Sequence, residues 1–145
     1  MYRHILVATD GSDLSAKAVV AGLQLAAQLR AQVTAVTVSE PFHALSLAPH
    51  QAEYTPAEYR RHAEDVAKRI LDRSRAEAAA AGLACDTLHA THEHPYQAII
   101  DAARTRDCDL IVMASHGRRG VSAVLLGSET LKVLTHSTIP VLVYR

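Results

Sequence analysis

Ile5-Leu6-Val7-Ala8 and Leu110-Ile111-Val112-Met113-Ala114 are two short apolar runs, each followed by a polar segment that contains glycine. Runs without polar interruption are typical of strands that helices cover on both faces of a parallel sheet. Both runs are therefore predicted to be central strands. The chain between and beyond them alternates strand-like and helix-like patterns, which indicates an α/β fold.

The pattern predicts five strands and four helices. The strands are predicted at residues 5–8, 33–38, 85–92, 110–114 and 141–144, and the helices at residues 13–30, 56–81, 95–105 and 128–135. Residues 39–55 have no clear period and are predicted to form a loop over the sheet. Pro56 is expected to open the second helix and Gly82 to cap its end, while Ser128 is the expected N-cap of the last helix.

Strand polarity predicts the order of the sheet. Residues 85–92 alternate polar and apolar side chains, as an edge strand does, and Pro140 precedes the last strand, where an edge tolerates it. The order 3-2-1-4-5 satisfies both constraints. It gives a single Rossmann-like domain over residues 1–145, with one doubly wound parallel sheet and helices on both faces. Its winding reverses between strands one and four, so a ligand is expected beyond their carboxyl ends.

The composition argues against several classes of function. The 15 Lys+Arg residues balance 15 Asp+Glu, and aromatic residues are 4% without Trp, so nucleic acid is not an expected partner. No apolar run approaches the roughly 20 residues that span a bilayer, so no membrane partner is expected. The first residues lack a cleavable signal pattern, and Cys85 and Cys108 match no disulfide framework, which favours a cytoplasmic protein with free thiols.

The two segments that follow the central strands suggest an anion site. Thr9-Asp10-Gly11-Ser12 follows strand one, and Gly117, Gly120 and Gly127 follow strand four. Glycines let backbone amides approach a ligand, and the amides of Glu129 and Thr130 are expected at the positive end of the last helix. A phosphate suits such a place. The alternative is that these glycines are only turn and cap residues, since a glycine loop alone is weak evidence.

Three stretches of the chain resemble the universal stress protein family. They are Ile5-Leu6-Val7-Ala8-Thr9-Asp10-Gly11-Ser12, then Met113-Ala114-Ser115-His116-Gly117 with Gly127-Ser128 after nine residues, and Ile139-Pro140-Val141-Leu142-Val143. The similarity covers essentially the whole chain. It implies a five-stranded α/β domain that usually forms a homodimer through its last strand. One branch of the family binds ATP through the pattern Gly-x-x-Gly-(nine)-Gly-Ser/Thr, and another branch lacks both pattern and nucleotide.

The sequence departs from the ATP-binding pattern where Ala114 stands at the first glycine position. Alanine fits there if its φ is negative, so ATP or another adenine nucleotide, with or without Mg²⁺, is the favoured ligand. The alternative is a nucleotide-free dimeric interaction or scaffold protein of the same fold. The resemblance implies an adenine pocket near Ala8, Thr9 and Val38, with Asp10 at the ribose or a metal. It also implies contacts with ribose and phosphates from Met113, Ala114, His116, Gly117, Gly127, Ser128, Glu129 and Thr130.

Charged side chains near this site allow more than one role. The amide of Glu129 would help to bind a phosphate, but its carboxylate would repel one unless it points to solvent or shares Mg²⁺. Arg118 and Arg119 would either screen the phosphates or remain solvated.

The sequence offers little support for catalysis. Ser115 and His116 are adjacent, so their side chains are expected on opposite sides of the strand end, where they cannot act as nucleophile and base. Neither a Gly-x-Ser-x-Gly elbow nor a Walker motif is present. Slow hydrolysis of a bound nucleotide, with Asp10 or His116 aligning a water, is the most that is expected, and no catalytic residue is assigned.

Two further hypotheses concern other surfaces. His89, His92 and His94 cluster at the end of strand three, but a solvated edge strand is favoured over a metal site there. Val141-Leu142-Val143 would leave an apolar strand edge in a monomer, which a two-fold copy of the chain would cover. In an interaction protein, this dimer or the loop of residues 39–55 is the functional surface. In a nucleotide-binding protein, the ligand is expected to order residues 115–126 as a conformational signal.

Overall fold

The computed structural model describes residues 1–43, 51, 53–118 and 125–145. Within these ranges the chain forms five strands and four helices, whose bounds lie within one residue of those predicted. The strands are β1 (His4–Ala8), β2 (Gln32–Ser39), β3 (Asp86–Thr91), β4 (Leu110–Ala114) and β5 (Val141–Tyr144). The helices are α1 (Asp13–Leu29), α2 (Pro56–Ala80), α3 (Pro95–Thr105) and α4 (Ser128–His136).

The five strands form one parallel sheet in the order β3-β2-β1-β4-β5, which confirms the predicted fold class and topology. The two apolar runs lie at its centre, and β3 and β5 are its edges. The register sets Val7, near the end of β1, beside Val112 of β4. The carboxyl ends of β1 and β4 therefore meet where the winding of the sheet reverses.

Helices bury apolar side chains against both faces of the sheet. On one face Ile5 and Val7 of β1 pack with Val19 and Leu23 of α1. Leu6 and Ala8 alternate to the other face, and there they join the core to which α3 and α4 contribute Ile99, Ile100 and Val133. This two-sided burial explains why residues 5–8 and 110–114 include no polar side chain.

Two predicted caps lie one residue from their observed places. Ala81 is the C-cap of α2, and Gly82 follows it with φ of +72°. The amides of Gly82 and Leu83 bond to the carbonyls of Ala79 and Ala78, which is the Schellman arrangement that favours glycine after a helix. At the start of α4 the N-cap is Gly127 and not Ser128, which is the first helical residue.

Some predictions fall outside the described residues. Residues 44–50 and 52 belong to the predicted loop over the sheet, and residues 119–124, with Arg119 and Gly120, belong to the segment expected to respond to a ligand. No helix in the described ranges is long and apolar enough to cross a bilayer. Cys85 and Cys108 are free thiols, and burial raises the pKa of Cys108 to about 11, so Cys108 is an unreactive core residue at neutral pH.

Candidate functional site

A cleft of about 820 Å³ lies at the carboxyl ends of the central strands. Its walls come from the segments after β1 and β4, from the end of β2, from one side of α2 and from the start of α3. The structure brings all twelve predicted site residues together on the wall of this one cleft. They are Ala8, Thr9, Asp10, Val38, Met113, Ala114, His116, Gly117, Gly127, Ser128, Glu129 and Thr130.

Asp10 joins the two segments that form the centre of the cleft. One of its carboxylate oxygens accepts a hydrogen bond from the amide of Ser12 at 3.0 Å, and the other accepts from the amide of Arg118 at 2.9 Å. Burial alone would raise the pKa of Asp10, but the hydrogen bonds from Ser12 and Arg118 outweigh it and hold the pKa below its ordinary value of 3.8. Asp10 is therefore ionised at neutral pH.

Gly117 owes its place to Asp10. A Cβ atom built on Gly117 would overlap the carboxylate of Asp10, so only glycine leaves room for the carboxylate to reach the next amide. The sequence suggested that this glycine admits a ligand. The structure adds that it admits a side chain of the protein itself, and that this contact fixes the segment after β4 against the segment after β1.

Gly127 fills a similar role at the start of α4. Its amide donates to the carbonyl of Ser115 at 2.7 Å, and a Cβ atom on it would lie 3.2 Å from the Cα of His116. Its amide is therefore occupied within the protein and is not the phosphate donor that the pattern implied. Gly127 positions the helix that supplies other donors.

The next three amides, those of Ser128, Glu129 and Thr130, lie in the first turn of α4. The first N–H groups of a helix have no partner within the helix, and none of these three donates to another group in the described ranges. They lie at the positive end of the helix dipole and on the wall of the cleft. The arrangement suits a phosphate or another anion.

The side chain of Thr130 serves the protein and not the cleft. The hydroxyl of Thr130, which is buried, donates to the carbonyl of Ala114 at 2.9 Å. Thr130 can therefore offer a ligand only its amide. Ala114, the departure from the family pattern, has none of the positive φ that would require glycine, and it is only 6% exposed. Its methyl group lines the cleft without a strained backbone.

Both oxygens of the Glu129 carboxylate have partners within the protein. The carboxylate therefore does not simply point to solvent, and it is not free to bind a metal. One oxygen accepts from the amide of Tyr96 at 2.8 Å, and the other lies 3.3 Å from Nζ of Lys132. Tyr96 is in the first turn of α3, whose N-cap residue His94 makes no side-chain capping bond. Glu129 thus caps a second helix across space.

Ser115 and His116 are closer than the sequence predicted. Oγ of Ser115 lies 3.2 Å from Nδ1 of His116, so the expectation that their side chains diverge is wrong. Ser115 is nevertheless buried and is not among the residues of the cleft wall, whereas His116 is. A buried hydroxyl outside the cleft cannot reach a ligand there, and its role is to orient the imidazole.

The histidines near the end of β3 bond locally. Nε2 of His89 lies 2.8 Å from Oγ of Ser39, and burial lowers the pKa of His89. Nδ1 of His92 accepts from the amide of His94 at 2.8 Å. In the described ranges no group of three metal-ligating side chains is placed to hold a metal ion. His94 also lines the cleft.

An aromatic wall, formed by Tyr54, Tyr59 and His62, completes the cleft on the side of α2. The sequence did not predict them as site residues, because Tyr54 lies where the chain has no period and Tyr59 and His62 lie within α2, a predicted helix that was given no role in the site. A local signal was present nonetheless. Thr55 and Glu58 form a reciprocal capping box at the start of α2, and this Thr-x-x-Glu spacing marks where the helix begins.

Charge is divided between the walls of the cleft. Three acidic residues, Glu40, Glu53 and Glu93, line it from the segments after β2 and β3, while on the side of β4 and α4 Arg118 and Lys132 offset the carboxylates of Asp10 and Glu129. The basic residues share their side with the amides at the start of α4. A ligand with a negative end is therefore oriented towards α4.

The similarity of this chain to known proteins covers its whole length and not only the motifs around the cleft. The family model described as the universal stress protein family matches residues 1–145. The chain is 33% identical to the universal stress protein YxiE of Bacillus subtilis (strain 168), in an alignment that covers 100% of both chains.

Solved structures share the fold. The universal stress protein UspA from Lactobacillus plantarum superposes with a TM-score of 0.77 at 28% identity, covering 99% of this chain and 98% of that one. A universal stress protein in complex with cAMP superposes with a TM-score of 0.69 at 26% identity, covering 99% and 97% of the two chains. Sheet order, length and sequence agree, and the chain belongs to the universal stress protein family.

Proposed function

We propose that this protein binds an adenine nucleotide in the cleft at the ends of β1 and β4. One observation carries the proposal: a cleft of about 820 Å³ is lined by Ser128, Glu129 and Thr130, whose amides donate to no other group in the described part of the chain. That volume falls in the range of small-molecule sites, and the amides match the chemistry of a phosphate. Apolar residues of β1, β2 and β4 form the rest of the floor.

The division of charge supports one orientation of the ligand. The phosphate would bind at the first turn of α4, near Arg118 and Lys132, whose positive charges favour it. The base would then lie towards Ala8 and Val38, whose apolar side chains line the cleft at the ends of β1 and β2. The related protein that is complexed with cAMP supports an adenine nucleotide as the class of ligand.

The ligand would act as a signal, and no residue of the cleft is assigned a catalytic role. Asp10 bonds both segments that the ligand would touch, so an occupied cleft would stabilise their contact. Carboxylate oxygens accept more than one hydrogen bond or metal contact. A Mg²⁺ that accompanied the phosphates would draw its protein oxygen from Asp10, because both oxygens of Glu129 already have partners in Tyr96 and Lys132.

The test removes one amide without unfolding the helix. Ser128 is the first helical residue, where proline is tolerated, and Gly127 before it has φ −62° and ψ 152°, which proline permits in its predecessor. Ser128→Pro should lower the affinity for AMP and ATP about tenfold in calorimetry, because it removes an N–H group that would donate a hydrogen bond to the phosphate. Ser128→Ala, which removes only the hydroxyl, is the matched control and should retain most of the affinity.

Binding by the unaltered protein comes first. We expect purified protein to carry an adenine nucleotide that mass spectrometry identifies, or to bind AMP or ATP when it is added. Hydrogen exchange at the amides of residues 128–130 should slow with the ligand. A protein that binds neither nucleotide at millimolar concentration, with or without Mg²⁺, would refute the proposal and leave the interaction protein as the remaining hypothesis.

We also propose a homodimer through β5. This strand is an edge of the sheet, and Leu142 in its middle is 39% exposed. Leu131 and Leu134 on α4, the helix that precedes β5 in the chain, are exposed as well. Replacing Val141 and Val143 together by Lys should give monomers in sedimentation. Dimers that persist in this variant would place the interface elsewhere.

A further inference from the structure

Half of the aromatic residues of this protein gather beside the cleft. The chain has one Phe and five Tyr, and three of these six, Phe42, Tyr54 and Tyr59, lie in one cluster with His62. The rings of Tyr54 and His62 are stacked, with centroids 5.5 Å apart and an angle of 16° between their planes. Tyr59 meets Tyr54 edge-on at 6.5 Å and Phe42 at 5.5 Å.

The start of α2 fixes the place of Tyr54. Thr55 is the N-cap, and its capping box with Glu58 is complete, with bonds of 3.2 Å and 2.9 Å. Tyr54 precedes the N-cap and contacts Tyr59, the fourth helical residue, which is the spacing of a hydrophobic staple. The staple sets the angle at which the chain enters the helix. Tyr54 is therefore held by local structure and not by chance packing.

Tyr54 and Tyr59 differ in how much of their surface the protein uses. Tyr59 is 8% exposed, and its hydroxyl donates to the carbonyl of Glu40 at 3.0 Å. Tyr54 is 36% exposed although it lines the cleft and already stacks on an imidazole. A supported ring with free surface at the edge of a cleft is suited to stacking against another flat group.

We propose that Tyr54 stacks on the base of the bound nucleotide, with His62 as the ring that supports it, and so gives the cleft a higher affinity for a nucleotide than for a sugar phosphate without a base. This inference rests on the proposed function and adds to it a contact for the base. The phosphate would bind at α4, while α2 supplies the aromatic wall of the cleft. Stacking against one aromatic side chain contributes enough affinity per base to matter for a small ligand.

Three variants of Tyr54 separate stacking from helix capping. Tyr54→Leu keeps an apolar residue for the staple but has no aromatic face, Tyr54→Ala loses both, and Tyr54→Phe keeps both. The probes are AMP and ribose 5-phosphate, which has the same sugar and phosphate but no base. We expect Tyr54→Leu and Tyr54→Ala to lower the affinity for AMP about tenfold, and Tyr54→Phe to keep it within twofold. Ribose 5-phosphate should bind the unaltered protein and the three variants with the same affinity.

Fluorescence gives a second measurement that capping would not affect. The protein has no Trp, so its emission comes from its five Tyr residues. A base that stacks on Tyr54 should quench part of this emission when AMP binds. Tyr54→Phe should bind AMP with the affinity of the unaltered protein and lack that part of the quenching, whereas ribose 5-phosphate should quench none of it.

The outcomes distinguish this inference from the proposed function. If Tyr54→Leu binds AMP as tightly as the unaltered protein, or if it weakens ribose 5-phosphate as much as AMP, Tyr54 only caps the helix and the inference is wrong. Nucleotide binding would then stand on the amides of α4 alone. If the unaltered protein binds no nucleotide, both proposals fail together, and the Ser128 variants would show no effect either.

Discussion

The two walls of the cleft are built in different ways. On the side of β1 and β4, the chain exposes backbone amides and uses its side chains to hold two segments together, as Asp10 does with Ser12 and Arg118. On the side of α2, the wall is made of side chains that a helix start positions, with Tyr54 beside a complete capping box. Glycines are needed on the first wall, and aromatic rings form the second.

This difference changes how a glycine motif is understood. Gly117 and Gly127 make room for Asp10 and for the backbone at His116, so the motif secures the contact of the protein with itself. The groups left for a ligand are backbone amides, which most side chains at those positions would leave in place. On the α2 wall the ligand would contact a side chain, that of Tyr54. The identity of the residue there therefore affects binding directly. Substitutions should therefore have distinct effects on the two walls.

The largest effect is expected from Gly117→Ala, which attacks the first wall. Its Cβ would displace the Asp10 carboxylate and break bonds to the amides of Ser12 and Arg118. Lost hydrogen bonds to a charged group cost about 2 kcal/mol, which urea unfolding would measure. In an Asp10→Ala background the same change should cost much less. An equal cost in both backgrounds would show that Gly117 does not serve Asp10.

A smaller effect is expected from Asp10→Asn, through the pH dependence of stability. The folded pKa of Asp10 lies below its ordinary 3.8, so its contribution is present above that value and is lost as the pH falls towards the folded pKa. The unaltered protein should exceed the variant by about 1–2 kcal/mol at neutral pH. Urea midpoints should converge below about pH 3.8. A gap that does not depend on pH would exclude the carboxylate as its source.

Thr55→Ala tests the second wall, and its expected effect on stability lies between those of Asp10→Asn and Ala114→Gly. The loss of an N-cap costs about 1 kcal/mol, because the amide of Glu58 loses its acceptor. We expect this loss in urea unfolding, with a weaker affinity for AMP because Tyr54 is less well placed. Thr55→Ser keeps the cap and should match the unaltered protein. If Thr55→Ala lowers stability but leaves AMP binding intact, the helix start does not control the aromatic wall.

The smallest effect is expected from Ala114→Gly, which restores the glycine of the family pattern. Ala114 has an ordinary backbone conformation at the end of β4, so glycine should cost about 0.5–1 kcal/mol of stability through chain entropy. Affinity for AMP should change less than twofold in calorimetry. A tenfold gain would instead show that the methyl group obstructs the ligand, and the first wall would then depend on its residues as the second does.

The sequence contained enough to predict the fold, because strand burial leaves a direct record in it. Five strands and their order followed from the two apolar runs, the alternation in residues 85–92 and the position of Pro140. The predicted site residues also came to one cleft, since parallel strands bring their carboxyl ends to the same edge. These inferences needed only the period of each segment.

Contacts between distant segments could not be predicted from the sequence. The bond from Tyr96 to Glu129 and the bond from Arg118 to Asp10 join residues far apart in the chain, and no local pattern encodes them. The contact of Ser115 with His116 was mispredicted, because ideal strand alternation does not continue past the end of β4. Tyr54 was missed for a different reason, since the capping box that marks it was present but was not used.

Glu129 has a consequence for how this protein can evolve. Its amide belongs to the first turn of α4, and its carboxylate accepts a hydrogen bond from the first turn of α3. A single residue thus contributes to the start of two helices. A replacement must keep an acceptor at the same reach, which leaves glutamine as the closest substitute and excludes the shorter and apolar side chains. Position 129 is therefore expected to tolerate less drift than its partial exposure suggests.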